Sequence, residues 1–91
     1  MKISSCPFKI GDRVIFTNRS MKNDFPGEYG LPNVGEEVEV AAIAEGPGGP
    51  LYLVWRGGEN WPGGGVLWTD FVAAGTPPEE WNMWLAKQLF R

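Results

Sequence analysis

The stretch Gly65-Val66-Leu67-Trp68-Thr69-Asp70-Phe71-Val72-Ala73 decides the fold class of this chain. It holds two short β-prone runs, Val66-Leu67-Trp68 and Phe71-Val72-Ala73, either side of a polar step at Thr69-Asp70. Runs this short cannot form ordinary helices and read as two strands joined by a brief break. Upstream, the loop from Gly57 to Gly64 carries Trp61-Pro62 among glycines, and before it Leu51-Tyr52-Leu53-Val54-Trp55 is β-prone at nearly every position. Its uninterrupted apolarity suits a central strand. Gly46-Pro47-Gly48-Gly49-Pro50 must turn the chain. A further strand runs from Glu37 to Ala44, with Val38 and Val40 alternating against Glu37 and Glu39, and apolar on both faces at its end. The first strand, Arg13 to Thr17, turns Val14 and Phe16 to one side and precedes a long connection, Asn18 to Val34.

Downstream the period changes. Thr76-Pro77-Pro78-Glu79 predicts a helix start, with the Thr76 hydroxyl as cap, Pro77 at the first helical position and Glu79 three residues after the cap. Trp81, Trp84, Leu85 and Leu89 then share one helical face, while Glu80, Asn82 and Lys87 face water. The expectation is a single mainly β domain over residues 1–91: a five-stranded barrel within 8–74 and an amphipathic α-helix within 76–90.

Composition narrows the chemistry. The net charge of −3 comes with no basic stripe, which argues against nucleic acid as a partner. There is no His, so His-mediated general-base catalysis and His-rich metal sites are excluded. Cys6, the single cysteine, lacks a His to activate it and reads as a packed thiol in a reducing compartment. The carboxylate pairs Glu36-Glu37 and Glu79-Glu80 read as solvated surface, and Gly63-Gly64-Gly65 lacks the Lys and Ser/Thr of a phosphate loop. No catalytic, cofactor or metal site is expected. With no apolar run long enough to span a membrane, the expected location is the cytoplasm.

Three stretches in order resemble the SH3-like barrel superfamily. Phe8-Lys9-Ile10-Gly11-Asp12-Arg13-Val14 resembles the opening strand of small bacterial barrels that read Gly-Asp-Arg-Val. Val34-Gly35-Glu36-Glu37-Val38-Glu39-Val40 is similar to the second strand of SH3 domains, and Gly65 to Ala73 to their Gly-Leu-Ile-Pro-Ser-Asn-Tyr-Val-Ala ending. The resemblance implies a 3₁₀ turn at the step between the last two strands. It also implies a peptide groove beside the long first loop, where Phe25 and Tyr29 match the loop aromatics and Trp68 and Phe71 the groove Pro and Tyr. Asp24 and Glu28 would form its acidic rim. Leu51-Tyr52 stands where the family has its ligand-stacking Trp, and the Ala-Leu-Tyr-Asp-Tyr run is absent, so proline-rich recognition gives way to a general partner-binding surface.

The rings admit two readings. Trp68 either faces a ligand or lies with Trp55 beneath the Trp81/Trp84 face of the helix, and Phe25 and Tyr29 either bind a partner or pin their seventeen-residue connection. Trp61, in a Gly/Pro loop, is the ring least easily assigned to the core. The leading expectation is a non-catalytic module binding a protein or peptide through Phe25, Tyr29, Trp61, Trp68 and Phe71 with Asp24 and Glu28. A second is an oligomeric enzyme like the type II dihydrofolate reductases, although Val66-Leu67-Trp68-Thr69 stands where that family has Val-Gln-Ile-Tyr. A third is a homo-oligomer associating through Trp81, Trp84, Leu85 and Leu89.

Overall fold

The structure, a computed structural model, describes residues 6–20, 26–28, 30–46, 49, 51–59, 61 and 65–89. Among them, strands β1 (Arg13–Phe16), β2 (Glu37–Glu45), β3 (Leu51–Trp55), β4 (Val66–Leu67) and β5 (Phe71–Ala73) form one antiparallel sheet in the order β4-β3-β2-β1-β5. Strand β2 serves two partners. Its first residues, Glu37 to Glu39, pair with β1, and from Val40 onward it pairs with β3. Between Val40 and Ala42 the register shifts, an irregularity of the kind that bends a strand and increases its twist.

The break at Thr69-Asp70 is a 3₁₀ helix, Trp68–Asp70, and it dictates the curvature of the whole sheet. Strands β4 and β5 are the two edges, yet only four Cα steps separate Leu67 from Phe71. Those steps reach at most about 15 Å, whereas five flat strands would hold their edges about 19 Å apart. The sheet therefore curls over its own inner face, with its two edges close but not paired. That face carries Val14 and Phe16 of β1, Val38 and Val40 of β2, Leu53 and Trp55 of β3, and Val66 of β4, all buried in one cluster with Trp68 and Phe71. Burial alternates along β1 and β2 as the sequence pattern anticipates, and in β3 it picks Leu53 and Trp55 from a run that is apolar throughout.

The C-terminal segment begins differently from the capping pattern read in the sequence. The Thr76 hydroxyl does not cap the helix; it donates to the Ala73 carbonyl at 2.7 Å, closing the turn that leaves β5. Pro77 is the N-cap, extended at φ −68° and ψ 152°, because the ring of Pro78 disfavours helical geometry in the residue before it. Pro78–Glu80 forms one 3₁₀ turn, and α1 (Trp81–Leu89) continues from it. Leu85 is buried at 1% exposure and packs with Trp84 and Leu89 against the sheet core. Phe8 joins the two bodies: it stacks on Trp84 at 5.4 Å between ring centroids and meets Trp68 edge-on at 6.4 Å. Offset and edge-on pairs like these add about 0.5–1.5 kcal/mol beyond the area they bury. No helix among the described residues is long and apolar enough to cross a membrane.

Candidate functional site

Two of the residues expected at a partner-binding surface belong to the core. Trp68 is 2% exposed and Phe71 is fully buried, so both are core residues and neither can face a partner. The curl of the sheet is the reason, since it turns the 3₁₀ step and the first residue of β5 inward. Trp61 is half-buried and packed against the core, whereas Glu28 is exposed. Asp24, Phe25 and Tyr29 lie outside the described residues. Of the proposed association face, Leu85 is covered by its own chain and unavailable to a second copy, and Trp84 already carries Phe8. Trp81 and Leu89 are half-buried. Trp55 is buried in the same cluster: it contacts Phe71, and its indole Nε1 donates to the Gly30 carbonyl at 3.0 Å.

An open cleft of about 430 Å³ does form, between the start of the first connection and α1. Its lining residues come from four places: Thr17, Asn18 and Arg19 after β1, Val34 before β2, Val72 on β5, and Trp81 and Asn82 at the start of α1. Each wall is anchored. On the connection side the anchor is Asp70, whose carbonyl accepts the Thr17 amide at 2.7 Å and the Thr17 hydroxyl at 3.0 Å. Its buried carboxylate accepts the Ser20 amide at 2.8 Å and the Ser20 hydroxyl at 2.9 Å. Residues 17 and 20 are thus fixed by one aspartate, and the chain between them passes through a left-handed Asn18 (φ +50°), a conformation that Asn adopts more readily than most residues. Arg19 projects towards the helix, where its Nε donates to Asn82 Oδ1 at 3.2 Å.

The opposite wall depends on a turn. The Glu36 amide donates to the Asn33 carbonyl at 3.0 Å, with Gly35 at φ +90° in the third position, where a type II turn needs a positive φ. The Glu36 carboxylate also accepts the Asn33 backbone and side-chain amides, at 2.9 and 3.1 Å. This leaves Val34, 49% exposed, at the corner of a fixed turn facing the cleft. Trp81 is held by its indole, which donates to the Thr76 carbonyl at 3.1 Å.

Because Asp70 sets the connection wall, exchanging it for Asn tests the anchoring. Asparagine keeps one acceptor for the Ser20 amide but replaces a charge-assisted pair with neutral bonds. Asp70→Asn is expected to cost about 1–2 kcal/mol and to speed hydrogen exchange at the Ser20 amide, measured by NMR. An unchanged Ser20 exchange rate would contradict the anchoring role.

The cleft's chemistry is that of binding. Its walls are mainly apolar, and among the described lining residues Arg19 alone carries charge. The Thr17 hydroxyl is committed to Asp70. Cys6 lies elsewhere: its Sγ accepts the Phe8 amide at 3.4 Å, and burial pushes the thiol above its ordinary value, away from the reactive thiolate. No group of three His, Cys, Asp or Glu among the described residues is placed to hold a metal ion. A smaller hollow of about 250 Å³ lies between the β5–α1 turn and the helix, with Glu80 and Lys87 among its walls.

Sequence reasoning missed Arg19, Val34, Asn82 and Asp70. Asn82 reads as one more solvent-facing helix residue and Arg19 as loop, and their meeting across 63 positions depends on where the helix docks. Asp70 offered the one usable signal, an acid inside an otherwise apolar stretch, where burial requires hydrogen-bond partners. No protein-family model, curated protein or solved structure matches this chain.

Proposed function

We propose that the chain is a small non-catalytic binding module on an SH3-like barrel scaffold, taking a peptide segment of another protein in the cleft between its first connection and α1. The carrying observation is the cleft itself, whose apolar walls are held from three sides by the Asp70, Glu36 and Thr76 hydrogen bonds. A preformed apolar hollow with a few placed polar groups is the usual form of a binding site, and fixed walls reduce the ordering cost of binding. The SH3-like reading is supported by the strand order, the long first connection and the 3₁₀ step between the last two strands. The free Cys6 fits a protein of a reducing compartment. On this reading the ligand surface differs from the groove of SH3 domains, because Trp68 and Phe71 are spent on the core.

The test is a displayed library of random linear heptapeptides with free C-termini, selected on the intact protein. Enriched peptides are expected to lose about tenfold or more in affinity on Val34→Asp, a change at an exposed turn corner that leaves the core untouched. Failure to enrich any peptide, or enriched peptides indifferent to Val34→Asp, would overturn the proposal.

A further inference from the structure

The cleft carries a single charged group at one side of its apolar walls, among the described residues. Arg19 is in neither of the two ion pairs among the described residues, Arg13–Glu37 and Arg56–Glu39, and no acid is among the described residues that line the cleft. The chain as a whole carries −3, so this positive point on an apolar hollow stands against the overall charge. Its geometry is constrained as well. The bond from Nε to Asn82 Oδ1 uses one edge of the guanidinium and orients the plane, leaving the terminal nitrogens as a fork. Two parallel donors in a plane match the two oxygens of a carboxylate. Asn82 turns its oxygen to Arg19, which leaves its amide nitrogen as a further donor at the same rim.

The same bond discriminates between a carboxylate within a chain and one at its end. Arg19 belongs to the connection wall and Asn82 to the helix wall, so their hydrogen bond links two walls of the cleft. A peptide running through would have to pass over that link. A peptide that stops there would not, and its terminal carboxylate lies on the same Cα as its last side chain. We propose that the cleft captures the C-terminal residue of a partner protein: an apolar side chain packs against Val34, Val72 and Trp81, and the terminal carboxylate pairs with the Arg19 fork.

This rests on the peptide-binding reading above, and the experiment separates the two. The probes are the acetylated tetrapeptides Gly-Ser-Gly-Leu and Gly-Ser-Gly-Trp, each as free acid and as carboxamide, with a capped peptide carrying an internal Leu-Glu step. Titrations are followed by amide and indole chemical shifts of the labelled full chain. The free acids are expected to shift Val34, Val72, Asn82 and the Trp81 indole, with the carboxamides and the internal acid about tenfold or more weaker. Arg19→Gln should abolish the preference for the free acid while leaving thermal unfolding unchanged, and the preference should shrink as salt is raised. If acid, amide and internal acid shift the cleft equally, the C-terminal inference fails and peptide binding stands. If no free acid shifts the cleft residues, the inference is overturned. The library selection then judges the broader reading by itself.

Discussion

Replacing Trp68 by alanine is expected to lower the unfolding free energy by about 3–5 kcal/mol, the range for removing a buried Trp or Phe side chain. Trp68 is 2% exposed, at the point where the 3₁₀ helix carries the chain from one sheet edge to the other. Its ring meets Phe8 edge-on, and Phe8 stacks on Trp84, so one truncation empties a core position and removes the support of the helix. Domains of this size hold about 5–15 kcal/mol in total, and each kcal/mol is worth about 4–8 °C in Tm. A fall in Tm on the order of 20 °C should therefore be seen by calorimetry, together with early loss of the α1 signal in circular dichroism. A ring that served only a partner would cost little stability, so a change of a degree or two would return Trp68 to the surface and defeat the packing described here.

The second large effect is expected at Gly58. A β-carbon added there would fall within the Trp55 indole, closer to its Nε1, Cε2 and Cδ1 than any real contact allows. The indole cannot swing away cheaply: Trp55 is buried, its Nε1 is bonded to the Gly30 carbonyl, and Phe71 packs against its ring. Gly58→Ala should then cost about 2–3 kcal/mol through overpacking, read from urea or guanidinium unfolding. The cause can be isolated with a double-mutant cycle. In a Trp55→Leu background the indole is gone, and adding the methyl at residue 58 should cost little, giving a coupling energy of about 2 kcal/mol. Equal costs in both backgrounds would show that the backbone at Gly58, and not the ring, forbids a side chain.

Sequence and structure differ mainly where contacts are distant. The strands were readable because side chains alternate with a period of two, which separates Val14 and Phe16 from Arg13, and Val38 and Val40 from Glu37 and Glu39. The break at Thr69-Asp70 was readable as a polar step, and the Trp81-to-Leu89 face by its helical spacing. The helix start was misplaced by one residue. Two competing local effects met there, and the restriction that Pro78 imposes on Pro77 outweighed the capping hydroxyl of Thr76.

The exposure of the rings had no local signature. Trp68 and Phe71 sit in a stretch whose pattern is equally compatible with a floor for a ligand and with a filled core, and only the curl of the sheet buries them. The register shift after Val40 and the link through Phe8 were equally silent, because each depends on a partner far along the chain. The cleft belongs to the same class. Asp70 reaches back 50 positions to Ser20, and Arg19 reaches forward 63 positions to Asn82.

The stretch from Gly65 to Ala73 shows the division within nine residues. By themselves its residues determined that two short strands meet at a break, since local steric and hydrogen-bonding preferences act within a few positions. That the break must bridge the two edges of one sheet, bury Trp68 and Phe71, and leave Asp70 to anchor a cleft wall was decided by tertiary structure alone. Curling the sheet over a shared core depends on residues from 8 to 85 at once, and the free energy of that packing is not written in any one segment.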